Sequence, residues 1–156
     1  MSRGPALLTA LAVCLLLVAV LPSCSRHHVA AEPASWQLTP GALNPEVTQA
    51  TIRATVCKRG WTATVRPPPS YTDALKLEQM RVYGRAGTAH DYQEDHLISL
   101  ELGGHPTDPR NLWPEPYPRA SAVDQVENEL NAQVCSGKLT LADAQRRESA
   151  LKHSEG

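Results

Sequence analysis

The chain has 156 residues, with 15 basic and 16 acidic side chains and a formal net charge of −1. This balance excludes a histone-like polycation and an acidic disordered tail. Apolar residues make up 42% of the chain and there is no Phe, so a core has to be built from Leu, Val, Ala, Trp and Tyr. An uncharged apolar run, residues 6–21, stands apart from the rest. Without it about 130 residues remain, which is enough for one domain.

The N-terminal segment predicts export. The apolar run is short for a permanent anchor, which needs about 20 residues, so residues 1–24 are predicted to be a secretory signal peptide. Residues 21–24 (Leu-Pro-Ser-Cys) resemble a bacterial lipobox, although its proline departs from the usual pattern. Cys24 is therefore a candidate for lipidation and membrane attachment. Plain cleavage after Ser25 or Ala31 and an uncleaved anchor are the alternatives. We expect an exported protein, either a cell-envelope lipoprotein or a secreted one.

Export decides how the remaining cysteines are interpreted. Cys57 and Cys135 are the pair left beyond the N-terminal segment. In an oxidising compartment an even pair favours a disulfide. Neither residue has a CxxC or CxxH neighbour, so a metal site at these cysteines is disfavoured.

The first half of the mature chain is predicted as a linker followed by short elements. Residues 25–50 are rich in Pro, Ala, Ser and His without periodicity, and are predicted to be a linker or tether, followed by a domain over 51–156. Residues 51–56 and 61–65 are candidate strands. A helix is predicted over 73–83, with Thr72 as its N-cap.

The second half predicts one strand and two helices. Residues 92–102 form a strand candidate that ends in a Gly-Gly turn, and residues 106–118 are predicted to be a loop. Ser121 is the predicted cap of a helix that ends near residue 135. Its predicted buried stripe is Val123, Val126, Leu130 and Val134. Gly137 suits the position that follows this helix. Thr140, with Asp143 three residues later, predicts the start of a final helix.

Charge is unevenly distributed between these segments. Residues 50–89 hold seven basic and two acidic residues, whereas residues 90–129 hold nine acidic residues and two arginines. One interpretation is two solvated surfaces that partly neutralise each other. The other is a polyanion-binding face beside an acidic, metal-attracting centre. Counting charges does not distinguish the two.

One group of residues predicts chemistry. Asp95 and His96 lie on the candidate strand, Gly103 and Gly104 follow seven and eight residues after His96, and Asn111 follows fifteen residues after it. This pattern resembles the motif of the HNH, or His-Me finger, nucleases. The resemblance covers about 40 residues, from Tyr92 to near Cys135. It implies a β-hairpin followed by a helix, with a divalent metal ion between them.

The resemblance also implies roles for these residues. Phosphodiester hydrolysis needs a nucleophilic water and a cation that stabilises charge on the phosphate. His96 would be the general base, because neutral imidazole accepts protons near pH 7. Asp95 would bind a Mg²⁺-type ion, since such ions prefer oxygen ligands. Asn111 would lock the loop and hold the strand that carries His96.

The helix ligand departs from the family pattern. The family often has a His or Asn about nine residues after the loop Asn, but position 120 is Ala. A replacement ligand has to come from the following helix, where the candidates are Asp124, Glu127, Asn128 and Asn131. With the predicted stripe, Glu127 and Asn131 lie at its border and Asp124 and Asn128 nearer the far side. We therefore favour Asn131, then Glu127, with Asn128 in reserve.

The sequence as a whole predicts an α+β domain. A ββα-metal hairpin-helix core would be wrapped by additional helices and closed by a Cys57–Cys135 disulfide. The leading function is a metal-dependent nuclease-like protein that hydrolyses nucleic acid outside the cytoplasm, with a Mg²⁺-type cofactor. We expect a monomer. The alternative is a non-catalytic envelope lipoprotein that uses the finger as a scaffold.

Overall fold

A computed structural model describes Met1 and residues 32–154. It combines a two-stranded antiparallel hairpin with four helices in an α+β arrangement. The strands are β1, Tyr92–His96, and β2, Leu112–Pro116. The helices are α1, Trp61–Val65; α2, Pro69–Val82; α3, Arg119–Cys135; and α4, Leu141–Lys152. The predicted α+β class is confirmed.

The hairpin lies between helices on its two faces. Asp95 pairs with Trp113 and His96 pairs with Leu112. Because side chains alternate along a strand, Asp95 and Glu94 point to opposite faces. Asp95 contacts side chains of α3 and α4, whereas Glu94 faces α2, which packs on both strands. The hairpin therefore presents Asp95 to the two C-terminal helices.

The strand β2 replaces a predicted loop. Residues 106–118 were expected to be irregular because of their prolines, yet Pro114 and Pro116 lie in a strand. A proline has no N–H to donate, so strands tolerate it at positions that face away from a partner. A two-stranded ribbon leaves one edge of each strand free, which provides such positions.

Several predicted boundaries are corrected. Residues 51–56 form turns, residues 61–65 form α1 rather than a strand, and the strand predicted over 92–102 ends at His96. Helix α2 begins at Pro69 rather than after Thr72, because proline with its fixed φ suits the first turn of a helix. Helix α3 begins at Arg119, two residues before Ser121.

The Thr140 cap of α4, the glycine after α3 and the disulfide agree with the prediction. Thr140 Oγ1 accepts a hydrogen bond from the Asp143 N–H at 3.1 Å and caps α4. Gly137 has a φ of 77° directly after the α3 cap. The Cys57–Cys135 disulfide is present, with the Cα atoms 5.5 Å apart. It closes a separation of 78 residues, for which chain entropy predicts about 4.5 kcal/mol of stabilisation.

Two hydrophobic clusters form the core. The larger lies between the disulfide region, α3 and α4, and comprises Val47, Ile52, Val56, Ile98, Leu102, Leu130, Val134, Leu141 and Ala144. The smaller packs Trp113, which is fully buried, against Ala34, Leu97 and Tyr83. Both clusters recruit residues before position 50.

The predicted linker is part of this core from residue 32 onward. Within residues 32–50, Ala34, Thr39, Asn44 and Val47 are buried. The Ala34 N–H donates to the Lys152 carbonyl at 2.9 Å, and the Asn44 N–H donates to the Gly103 carbonyl at 2.9 Å. Backbone hydrogen bonds to α4 and to the Gly-Gly turn therefore make residues 32–50 part of the domain, where a linker or tether was predicted.

The predicted signal peptide and Cys24 lie outside the described residues. None of the described helices is long and apolar enough to cross a membrane.

Candidate metal and catalytic site

A polar cleft of about 380 Å³ opens beside the end of β1. Its walls come from β1, the residues that follow it, α1 with its C-terminal flank, and α3. We call it the acidic cleft, and its charged and ionisable lining residues are Asp95, His96, Glu101, Asp124, Glu127 and Arg66. Within a strand, the side chains of Asp95 and His96 would point to opposite faces. Because β1 ends at His96, both side chains line the same cleft.

Three carboxylates come together in the acidic cleft. Asp95, Asp124 and Glu127 each offer one oxygen atom, and these atoms lie within 4.8 Å of one another. Asp124 and Glu127 are three residues apart on α3, a spacing that puts both on one side of a helix. Asp95 and Glu127 are buried, and Asp124 is half-buried. Clustered carboxylate oxygens are the ligands that hard divalent cations prefer.

A buried lysine lies behind these carboxylates. Lys152, the last residue of α4, is 0% exposed. Its Nζ lies 2.6 Å from Asp95 Oδ2, 2.5 Å from Glu127 Oε1 and 2.6 Å from the His96 carbonyl oxygen. Burial lowers the pKa of Lys152, but the surrounding carboxylates outweigh burial and raise it well above its ordinary value. Burial likewise opposes ionisation of Asp95, and the Lys152 charge outweighs it, so the pKa of Asp95 is lowered.

Two further carboxyl groups surround this lysine. Glu148 Oε1 lies 3.4 Å from Lys152 Nζ and accepts a hydrogen bond from the Ser99 N–H at 2.9 Å. Glu115 is fully buried and lies 3.2 Å from the Arg119 guanidinium. With Asp95 and Glu127 there are four carboxyl groups against two cations, Lys152 and Arg119.

This excess of acid raises carboxyl pKa values. Burial is the largest cause for Glu127, Glu115 and Glu148, and the neighbouring Asp95 charge adds to it. The pKa rises to about 9 for Glu127, about 8 for Glu115 and about 7 for Glu148. Part of the group is therefore protonated at neutral pH. The residues present fit a divalent cation, because the donors are oxygens and the cluster has an excess of acidic groups.

His96 is held as a neutral imidazole with a defined tautomer. Its Nε2 lies 3.0 Å from the Pro106 carbonyl oxygen. A carbonyl can only accept, so Nε2 carries the proton and Nδ1 is left to accept one. Burial lowers the pKa of His96, and the Lys152 and Arg66 charges add to this effect, outweighing the Pro106 carbonyl and Asp95. His96 therefore has the protonation state of a base at neutral pH.

Asn111 lies outside the acidic cleft and holds its frame. The residue is 0% exposed. Its Oδ1 accepts from the Ile98 N–H at 2.9 Å, and its Nδ2 donates to the carbonyl oxygens of Ile98 at 3.0 Å and His105 at 3.1 Å. Asn111 thus fastens the residues after His96 to the loop after Gly104. Its place is that of a positioning residue rather than one that touches a substrate.

The favoured helix ligand, Asn131, is elsewhere. Its amide donates to the carbonyl oxygens of Glu101 and Val56, and it is not among the residues that line the acidic cleft. The predicted stripe included Val126, which is exposed, whereas the buried positions of α3 are Ala120, Val123, Glu127, Leu130 and Val134. This small rotation of the helix puts Glu127, the second choice, at the centre. It also brings Asp124 into the cleft, which Asn128, the reserve, lines as well.

Sequence reasoning missed Lys152, Glu148 and Glu115. A signal for the first two was present, because Leu141, Ala144, Glu148 and Lys152 follow the buried spacing of a helix. Charged residues at two such core positions indicate a buried ion pair. Comparison of the chain with protein-family models, with curated proteins and with solved structures gave no match.

Proposed function

We propose that this protein is a metal-dependent nuclease of the HNH, or His-Me finger, type that hydrolyses nucleic-acid phosphodiesters. The observation that carries the proposal is that a neutral His96 and the three clustered carboxylates line the same open cleft. The order of hairpin and helix, and the Asn111 bonds behind His96, also fit that type. A nuclease of this type requires an oxygen-bearing helix residue close to Asp95, whereas a non-catalytic scaffold does not.

Each residue of the site has a separate role in this proposal. Asp95, Asp124 and Glu127 would hold the divalent ion, for which Mg²⁺ is the best fit by ligand type. Such an ion supplies Lewis acidity to the phosphate and the leaving oxygen. His96 accepts the proton of the attacking water at Nδ1, because Nε2 is committed to Pro106. Asn111 keeps the His96 backbone in place.

Basic side chains before and directly after α1 suit a nucleic-acid substrate. Arg66 lines the acidic cleft, and Arg53, Lys58 and Arg59 lie exposed just before α1. Basic side chains of this kind contact phosphates and orient the backbone without reading sequence. An exported location follows from the predicted signal peptide over residues 1–24, and the Cys57–Cys135 disulfide is compatible with it. Lipidation of Cys24 would attach the protein to a membrane.

Cleavage of plasmid DNA and of RNA by the purified protein tests this function. Activity is expected with Mg²⁺ or Mn²⁺ and not with a chelator. His96→Ala should lower the rate about 10²–10⁴-fold, the usual contribution of a general base. His90→Ala is the matched control, because His90 is exposed and does not line the cleft. Asp124→Asn should raise the metal concentration needed for half-maximal rate.

Two results would contradict the proposal. Equal rates for the wild-type protein and His96→Ala would remove His96 as the base. Absence of cleavage by the wild-type protein with every divalent ion tried would leave the non-catalytic envelope lipoprotein as the alternative.

A further inference from the structure

The Lys152 ammonium occupies a position built from oxygen atoms. Its three closest partners are one oxygen each of Asp95, Glu127 and the His96 carbonyl, all within 2.6 Å, and Glu148 lies further away at 3.4 Å. An ammonium has three donors, so these three oxygens satisfy it completely. Two carboxylates and a backbone carbonyl are also a ligand set that divalent metal ions use.

The same carboxylates belong to two positions. Asp95 and Glu127 contact the ammonium, and both also belong to the carboxylate group completed by Asp124. Each carboxylate gives Lys152 one of its two oxygens, and the other oxygen of Asp95 accepts a hydrogen bond from Gln93 Nε2 at 3.4 Å. In enzymes with two metal ions, carboxylates are shared in this way between cations about 3.5–4 Å apart.

We propose that Lys152 is the resident counter-cation of the site, which takes the place of a second metal ion and positions Asp95, Glu127 and the His96 backbone for a single divalent ion. The single-ion part rests on the proposed function. Lys152 is thus a positioning residue supplied by α4, beyond the hairpin and α3. The finger alone is then incomplete without the C-terminal helix.

The surroundings of Lys152 hold it in this place. Its own carbonyl accepts a hydrogen bond from Ala34, and Arg119 donates to the carbonyl of the preceding Leu151 at 2.6 Å. Glu148, one turn earlier on α4, is fastened to the Ser99 N–H. The end of α4 is therefore tied to Ala34, to α3 and to the residues after β1. These contacts fix the position of the Lys152 ammonium, as a positioning role requires.

The number of Mn²⁺ ions bound per chain tests the proposal. Equilibrium dialysis gives the stoichiometry, and electron paramagnetic resonance shows whether two ions are magnetically coupled. Lys152→Ala should bind one more ion than the wild-type protein, because it frees the cation position. Lys152→Arg retains a cation and should keep the wild-type number. Lys138→Ala removes an exposed lysine and is the control for net charge.

The outcomes separate this inference from the proposed function. Two coupled ions in Lys152→Ala against one in the wild-type protein would support both. One ion against none would support the role of Lys152 and count against a metal site in the wild-type protein. Equal numbers in Lys152→Ala and wild type would overturn the inference.

The experiment also covers the case in which Lys152→Ala does not fold. Lys152→Ala leaves buried carboxylates without their cation, so refolding is carried out with and without Mn²⁺. Recovery only with Mn²⁺ would support the inference, since a metal ion then replaces the ammonium. The double variant Lys152→Ala/Glu148→Gln removes one carboxylate as well and lowers the charge imbalance. Failure of both variants to fold in Mn²⁺ would overturn the inference.

Discussion

Asn111→Ala should destabilise the protein strongly although Asn111 touches no substrate. The substitution removes three hydrogen bonds, two buried ones to the Ile98 N–H and carbonyl oxygen and a partly buried one to the His105 carbonyl oxygen. Each is worth about 0.5–1.5 kcal/mol, and a buried group left without a partner costs about 1–3 kcal/mol. The expected loss is about 3–6 kcal/mol, a large part of the 5–15 kcal/mol typical of a domain.

Replacing Asn111 by Asp tests the direction of the same hydrogen bonds. Asn111→Asp keeps an acceptor for the Ile98 N–H but places an oxygen against the carbonyl oxygens of Ile98 and His105. It should be at least as destabilising as Asn111→Ala at pH 7. It should recover in part at low pH, where a protonated carboxyl can donate one of the lost bonds.

Equilibrium urea denaturation followed by tryptophan fluorescence, with the disulfide kept oxidised, measures these losses. Asn128→Ala is the control, because Asn128 is exposed and its amide donates only to the Asp124 carbonyl within α3. Its expected change is within about 0.5 kcal/mol. A loss below about 1 kcal/mol for Asn111→Ala would show that these bonds do not hold the frame of the cleft.

Two further predictions concern Gly104, with Gly137 as its comparison, and Glu94. Gly104→Ala should cost more than about 3 kcal/mol or prevent folding, because the new Cβ would lie 1.7 Å from the Ile98 carbonyl oxygen. Gly137→Ala, with a φ of 77° and no atom within 4 Å, should cost about 1–2 kcal/mol, and equal losses in urea would contradict the steric reason. Burial, helped by Asp95 and opposed by Lys76, raises the pKa of Glu94 to about 8, so the folded state retains a proton that the unfolded chain releases. This one group should therefore lower the free energy of unfolding by up to about 1.4 kcal/mol for each unit that the pH rises between about 5 and 8. Glu94→Gln should remove this contribution to the slope, and parallel stability profiles of the two proteins at pH 5, 6.5 and 8 would contradict it.

Local patterns in the sequence predicted several features of this protein. The Asp95-His96 pair, the Gly-Gly turn and Asn111 lie close together in the sequence, and their resemblance to a nuclease motif pointed to the segment beside which the acidic cleft lies. The Cys57–Cys135 bond was predicted because these two are the cysteines beyond the predicted signal peptide and export was expected, and the structure contains it. The Thr140 cap was visible because a helix N-terminus needs a nearby side-chain acceptor.

Only the tertiary structure decided which groups meet. The strand β2 forms because it pairs with β1 across the intervening loop, and no local preference of a proline-containing segment predicts that. Glu127, and not Asn131, lies beside Asp95 because of a small rotation of α3, which the packing of its neighbours sets. Residues 32–50 became part of the core through backbone bonds to distant segments.

The charge at the centre of the site shows the same division most clearly. The sequence by itself determined an acidic middle segment and a histidine suited to be a base. It did not place Lys152, which is 57 residues from Asp95 along the chain and 2.6 Å from it in space. A lysine in an amphipathic helix ordinarily keeps its ammonium in water. It is buried here because four carboxyl groups from β1, β2, α3 and α4 converge on one point, and the packing of those elements alone creates that point.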